Sequence, residues 1–428
     1  MSTSKIHGMS SVPQDQDPSS IRDIVILGGS YGGVSVAHNL LKHTIPRLRE
    51  HGRYRVLLVS KSSEILCRPA CPRAMISDHF FDQDKLFVPI SKAFEQYPAE
   101  HFDFLQGSAS ALDGEQRTVT VDLHSGSARI INYHALVIAT GARTPSPLLG
   151  LNGDANELRQ HWAGFRDSLK SATSICIAGG GPAGVEVAGE LGEYLNGRAG
   201  WLRSGPEKPK VEINLVTSGA TLLPVLRPAI AVRAERLLAA VGVSVMKNVR
   251  VVDVHAEQAG EGDVSTSDTI VSLSNGKKLS ASLYIPTTGT EPNTDFVPTS
   301  LLDKDHRIIT NAATLRVDDA GSMVYAVGDA SSYARPAVHN ILEAVPVLSA
   351  NLKNDLLREA GLGDASRTES MKAFREDTTE TQLVPIGTSK GVGAAKGWRL
   401  PSWAVWLIKG RDYWLWTTTR LWNGKQWD

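Results

Sequence analysis

An apolar run, a glycine-rich turn and a helix-forming stretch occur in that order twice in this chain, about 150 residues apart. No other feature limits the available folds so strongly. The first copy passes from apolar residues 23–27 into GGSYGG at 28–33 and then into VSVAHNLLKH. A second β-type run at 54–59 completes a strand–helix–strand unit. The second copy passes from 174–178 into GGGPAG at 179–184, continues as VEVAGELGEYL, and reaches its next strand at 211–216.

A strand that feeds G-x-G-x-x-G and then a helix aims backbone N–H groups and the positive helix end at a pyrophosphate. Glycine permits the close approach. One such match is weak, but two in strand–helix context are strong. The candidate cradles are Gly28, Gly29, Ser30, Tyr31, Gly32 and Gly33, and Gly179, Gly180, Gly181, Pro182, Ala183 and Gly184. The second is complete, whereas the first carries Ser30 where the middle glycine is usual. A serine adds a Cβ near the phosphates, and its hydroxyl can donate a hydrogen bond. The first loop also reads G-x-S-x-G, the nucleophile-elbow pattern of α/β-hydrolases, with Ser30 as nucleophile. That reading leaves the second glycine loop unexplained, together with the Gly-Asp of MVYAVGDAS at 323–331.

At roughly 150 residues per domain, 428 residues suggest two or three domains. Short strands are expected at 102–105, 118–121 and 129–131, and a buried strand ending in a glycine turn within 134–145. Polar 151–160 reads as a linker, and 196–210, rich in Gly, Pro and charge, as a surface insertion. A hairpin is expected at 249–254 and 269–273, a strand ending in glycine at 283–293, and a helix over 336–359. The expected division is a disordered tail at 1–20, a first dinucleotide domain at 21–150 resumed at 283–345, a second at 151–282, and a tryptophan-rich region at 346–428. Seven of the nine tryptophans fall between Trp398 and Trp427.

Composition narrows the function classes. Lys+Arg and Asp+Glu both total 45, which argues against binding nucleic acid by bulk phosphate neutralisation. Three cysteines make no disulfide framework and fit a reducing compartment. The polar first twenty residues show no secretory or mitochondrial presequence, Ser2 excludes the myristoylation signal, and no apolar run approaches the roughly 18 residues of a membrane span. The expected location is cytoplasmic, with a peripheral membrane contact left open. The twelve histidines show no metal-ligand spacing, and no metal is expected.

Two dinucleotide loops, ATGA at 139–142, TTGTEPN at 287–293 and AVGDA at 326–330 together resemble the pyridine-nucleotide flavoprotein oxidoreductases. The C-terminal run VPIGTSKGVGAAKGWRLPSWAVWLIKGRDYWLWTTTRLWNGKQW is similar to that of their apoptosis-inducing-factor-like branch, which includes the ferroptosis suppressor protein, and looks most like fungal members. The resemblance covers residues 21–428 and implies an α/β fold of two Rossmann-like domains, for FAD and NAD(P), with a small C-terminal domain. It implies that 28–33 cradle the FAD pyrophosphate and 179–184 that of NAD(P)H. Asp329 would contact the ribityl–phosphate region, Arg73 the phosphates, and the backbone at Ala109 the adenine. Glu186 resembles a glutamate kept near nicotinamide and flavin. No acid follows the strand at 54–59, so Lys61 or Ser60 would meet the FAD adenosine. No acid follows 211–216 either, which leaves NADH and NADPH both open.

Disulfide reductases of this type carry a C-x4-C pair, whereas Cys67 and Cys71 are separated by only three residues. On a regular helix such a pair lies too far apart for a disulfide, and two buried thiols are the simpler reading. Cys176, on a core strand, is expected to be inert. Without a dithiol relay, electrons pass from reduced flavin directly to a small acceptor. The resemblance implies a quinone. The alternatives are a dedicated small metabolite of a biosynthetic pathway and a flavin-holding signalling protein without turnover. Trp398, Trp403, Trp406, Trp414, Trp416, Trp422 and Trp427, interleaved with Lys and Arg, suit either a membrane interface or packing of the C-terminal region onto the flavin domain. Oligomeric state is left unassigned.

Overall fold

The computed structural model describes residues 20–200, 203–256, 269–362 and 371–428. The expected N-terminal tail, apart from Ser20, lies outside the described residues. A seven-stranded sheet carries the first half of the chain, in the order Val324–Ala326, Ala135–Ile138, Ile21–Leu27, Arg53–Ser60, Phe102–Asp113, Thr118–Leu123 and Ala128–Asn132. The first five of these strands run parallel and the last two are antiparallel additions. Ile24, Val25, Ile26 and Leu27 are all buried, as a strand covered on both faces requires. A four-stranded parallel sheet carries the second copy, in the order Val243–Met246, Glu212–Val216, Ser174–Ala178 and Leu283–Pro286. The chain thus forms an α/β fold of two Rossmann-like domains.

The two copies agree at the level of single contacts. Gly28 N–H donates to Val59 O at 2.8 Å, and Gly179 N–H to Val216 O at 2.8 Å. Gly28 and Gly179 both hold positive φ, 115° and 128°. A Cβ on Gly33 would lie 1.8 Å from Gly28 O, and one on Gly184 1.9 Å from Gly179 O. Each following helix, Tyr31–His43 and Pro182–Asn196, therefore presses directly onto its own loop.

Three expectations are corrected. Residues 151–160 are not a linker. Asp154 caps the helix Ala155–Leu169 by accepting the Asn156 N–H at 2.8 Å. Ala155, Leu158, Trp162, Phe165 and Leu169 are buried along its face, so the polar start concealed a helical period. The strand Leu283–Pro286 does not return the chain to the first sheet. It pairs in parallel with Ser174–Ala178, and re-entry comes after it, where Glu291–Pro292 meets Ala142–Arg143. A boundary at 345/346 would divide the continuous helix Val338–Glu359, whose Val345, Leu348 and Leu352 share one core with Val34 and Leu40 of Tyr31–His43.

The C-terminal segment bridges both domains. Its hairpin Gln382–Ile386 and Lys390–Ala395 lies on the helix Pro182–Asn196, while Trp422 is buried in the first-domain core. His38 of the helix Tyr31–His43 hydrogen bonds Trp422 O at 2.7 Å. At Gly189 the hairpin approaches so closely that a Cβ would stand 2.8 Å from Ile386 Cα.

Two helical glycines should therefore respond oppositely to alanine. Gly189→Ala forces the hairpin away and is expected to cost about 1–3 kcal/mol. Gly164→Ala, in the helix Ala155–Leu169 with nothing within 4 Å, should stabilise by about 0.5–1 kcal/mol. Thermal unfolding midpoints of both variants check the difference in sign.

Candidate functional site

Both glycine loops end at helix N-termini that no side chain caps. Ser30 precedes Tyr31–His43 and Gly181 precedes Pro182–Asn196, with no acidic residue in either first turn. The first-turn N–H groups and the helix dipole are thus left to an anion. Gly181 has nothing within 4 Å of where a Cβ would stand, so the loop faces open space. Ser30 occupies the equivalent place at φ −127°, extended backbone that any residue adopts, and its exposed side chain makes no capping bond. A serine therefore meets no backbone strain there. No base is hydrogen bonded to Ser30 among the described residues, and a nucleophile would need one. Both loops fit a pyrophosphate.

Asp329 follows the strand Val324–Ala326, beside the first loop in the sheet order. Burial pushes its carboxyl up, opposed by the nearby Arg68 and Arg307. The Arg68 guanidinium stands 3.9 Å from Asp329 and donates to Ala142 O at 3.1 Å. Lys61 is exposed at the end of Arg53–Ser60, where Gln106 Nε2 reaches its carbonyl at 3.1 Å. Ala109 lies within Phe102–Asp113, paired with Val121 next to a register shift.

Arg73 is placed differently from expectation. Its guanidinium forms a bidentate pair with Glu190 at 2.8 and 2.8 Å, and donates to Gly410 O at 2.7 Å and Gly387 O at 3.2 Å. Tyr413 Oη donates to Glu190 at 2.8 Å. A buried arginine with its donors used in this way has little left for a phosphate. The arginine beside Asp329 is Arg68.

Glu186 lies one turn before Glu190 on the same helix and has its own cation. Lys409 Nζ approaches Glu186 Oε1 at 2.5 Å and Leu383 O at 3.2 Å, and both side chains are buried. Burial drives the Glu186 carboxyl up to about 7, against the opposing pull of Lys409. Glu186 is thus a buried carboxyl poised to gain or lose a proton near neutrality. Lys409, Tyr413 and Glu190 complete this arrangement with Arg73, and no motif singled those three out. The only sequence signal was the basic and aromatic interleaving of the C-terminus.

Cys67 lies close by, but the chain's thiols are poorly suited to redox exchange. Cys67, Cys71 and Cys176 are free and buried, and burial raises their pKa values to about 11, about 12 and about 12. Cys67 Sγ contacts Tyr31 Oη and Tyr413 O, each at 3.6 Å. It therefore packs the first glycine loop against the C-terminal segment.

The tryptophans divide. Trp422 is buried, whereas Trp398 is 79% exposed, Trp403 66% and Trp416 58%. Trp406, Leu407 and Ile408 are exposed beside them, as are Lys390, Lys396 and Arg399. A groove of about 410 Å³ lies between Phe80–Lys85 and Asp412–Thr419, with Trp416 on its wall. No helix among the described residues is long and apolar enough to cross a membrane.

Two nucleotide cradles on consecutive Rossmann-like sheets define a flavin- and nicotinamide-dependent oxidoreductase. The chain belongs to the pyridine nucleotide-disulphide oxidoreductase family, whose model matches residues 22–347, and its cofactors are FAD and NAD(P)H. It is 57% identical over 408 residues to oxidoreductase phnG of Penicillium herquei, covering 95% of this chain and 97% of that one. It is 24% identical to ferroptosis suppressor protein 1 of Homo sapiens, across 93% and 95% of the two chains. Among solved structures, the sulfide:quinone oxidoreductase of Aquifex aeolicus superposes with TM-score 0.67 at 18% identity, over 94% and 92% of the chains. NDH2 of Plasmodium falciparum in complex with NADH superposes with TM-score 0.64 at 16%, over 95% and 99%.

Lys409→Met tests the buried pair. A carboxyl raised above its ordinary value gives stability that is full at low pH and is lost as pH rises through the folded-state value, here about 7. Removing Lys409 raises that value further and leaves an ionised Glu186 without a partner. The variant is expected to lose about 3–5 kcal/mol at pH 8.5 and clearly less at pH 5.5, read from denaturant unfolding at the two pH values.

Proposed function

We propose that the protein oxidises NAD(P)H and reduces a quinone-like acceptor, with loop 28–33 holding the FAD pyrophosphate and loop 179–184 that of NAD(P)H. FAD, when bound, would supply the two-electron relay between them. The observation that carries the proposal is the placement of Glu186, buried and near-neutral in its pKa, on the helix that opens from the second cradle. Reducing a quinone to a quinol takes two electrons and two protons, of which NAD(P)H brings one. Glu186 holds the other at its carboxyl, and Lys409 stabilises the carboxylate left behind. Asp329, standing 3.9 Å from Arg68 beside the first cradle, would accept hydrogen bonds from cofactor hydroxyls. Lys61 would meet the FAD adenosine end, and the backbone near Ala109 would contact the adenine.

In anaerobic stopped flow, NADPH or NADH should bleach the visible flavin band and a short-chain quinone should restore it. Glu186→Gln should leave the bleaching within a few-fold and slow the return by about 100-fold. Bleaching without return would overturn the quinone assignment. Equal return in wild type and variant would remove Glu186 from the proton path.

A second reading replaces the quinone with a dedicated small metabolite, and the groove between Phe80–Lys85 and Asp412–Thr419 favours it. Its wall sets Asp82, Lys85 and Asp412 among Phe80, Phe81 and Trp416, a lining suited to an aromatic acceptor that carries polar groups. Bleaching followed by return only with hydroxylated aromatic acceptors would select it.

The exposed surface built from Trp398, Trp403, Trp406, Leu407 and Ile408, with Lys390, Lys396 and Arg399, supports peripheral docking to a lipid surface. Wild-type protein should co-sediment with vesicles that contain anionic lipid. The variant Trp398→Ala/Trp403→Ala/Trp406→Ala should bind at least about tenfold more weakly while keeping its flavin. Equal sedimentation would overturn the docking.

A further inference from the structure

The second cradle opens into a cleft of about 380 Å³ whose lining carries one charged side chain, Arg250, and no carboxylate. The walls are the ends of two parallel strands, Ser174–Ala178 with Gly179 and Gly180, and Glu212–Val216 with Thr217 and Ser218. In a Rossmann-like fold the end of that second strand is where the adenosine ribose is read. A carboxylate there binds the ribose hydroxyls and repels a 2′-phosphate. This chain has Thr217 and Ser218 instead.

Backbone hydrogen bonds bring Arg250 to the same point. Thr217 N–H donates to Met246 O at 2.8 Å, Val249 N–H to Thr217 O at 3.0 Å, and Asn248 N–H to Gly219 O at 3.1 Å. The segment 246–249 is thereby fastened along the 217–219 tip, and the next residue is Arg250. Thr217 Oγ1 also accepts the Gly219 N–H at 3.2 Å, which holds the tip in one shape.

The nearby cations differ in commitment. Lys247 Nζ is held by both oxygens of Glu235, at 3.0 and 3.1 Å. The exposed guanidinium of Arg250 has no hydrogen-bond or ion-pair partner among the described residues, and neither has the Ser218 hydroxyl. An arginine whose forked donors are free, sharing with a free hydroxyl a cleft whose lining holds no carboxylate, is what a phosphate monoester calls for.

We propose that Arg250, with Ser218, grips the 2′-phosphate of NADPH, so that this cleft selects NADPH over NADH. The inference rests on reading the cleft as the NAD(P)H site. The same arginine would otherwise be free only to stack on the adenine, which both nucleotides share.

The test uses the FAD-loaded protein and two fragments that differ only by the phosphate, adenosine 2′,5′-bisphosphate and AMP, titrated calorimetrically at low ionic strength. The bisphosphate should bind roughly tenfold or more tightly than AMP, an advantage that shrinks as salt is added. In Arg250→Ala the ratio should fall to within about twofold while AMP affinity is unchanged, and Arg250→Lys should retain part of the ratio. Arg250 is exposed, so both variants should keep the wild-type unfolding midpoint. Equal binding of the two fragments to wild type would overturn the assignment, as would an equal weakening of both in Arg250→Ala, which marks stacking on adenine. If NADH and NADPH then bleach the flavin alike, the proposed function stands and the selectivity falls. If neither fragment binds and neither nucleotide bleaches the flavin, both fall together.

Discussion

Two carboxylates one turn apart on a single helix, each paired with a cation from another part of the chain, hold this molecule in its working shape. Glu190 takes Arg73 from the first domain, and Glu186 takes Lys409 from the C-terminal segment. Tyr413, four residues beyond Lys409, also donates to Glu190. Three stretches of chain therefore meet at charges removed from water. Breaking a buried pair of this kind leaves an uncompensated charge, so the association is sharply specified even where its net stabilisation is small. The helix that carries both carboxylates also starts at the second nucleotide cradle. Whatever fixes the domains relative to each other thus fixes that cradle relative to the first.

The same interaction links stability to chemistry. Burial pulls Glu186 towards its protonated form and Lys409 pulls it back, which leaves a group that changes state near neutrality. A carboxylate on the surface would remain ionised there, and one buried without a cation would remain neutral. Arg73 supplies the structural counterpart. Its donors are taken by Glu190 and by the carbonyls of Gly387 and Gly410, so it connects segments.

What the sequence made legible follows from how local the governing physics is. The two strand–loop–helix turns could be read because Gly28 and Gly33, or Gly179 and Gly184, meet within six residues, and the absent Cβ atoms are a local requirement. The core strands could be read because buried parallel strands are continuously apolar. The helix Ala155–Leu169 escaped because its first turn is polar and its apolar stripe begins in earnest at Leu158. Leu283–Pro286 was given to the wrong sheet because strand order is a tertiary property, and a strand next in sequence to the returning segment need not pair with it. Glu186 came only from family resemblance. Lys409 and Tyr413, each 223 residues from the carboxylate it meets, left no periodic or spacing signal. For the same reason the pairing of Arg73 with Glu190, 117 residues away, left no signal.

The tryptophan-rich C-terminus shows why composition alone could not decide between a membrane interface and internal packing. The segment holds both buried and exposed tryptophans. Trp422 inserts into the first-domain core, where its carbonyl accepts from His38, and burial holds that imidazole neutral with its pKa lowered to about 4. Trp398 and Trp403 point outwards. Between them lies Lys409, buried against Glu186 and set over the rings of Tyr413 and Trp414. The segment thus presents apolar surface on one side and delivers a cation to the site on the other. Any contact that shifts the outward face acts on residues covalently adjacent to Lys409. Trp406, Leu407 and Ile408 immediately precede it, so this exposed apolar surface and the cation that sets the protonation state of Glu186 share one short piece of backbone.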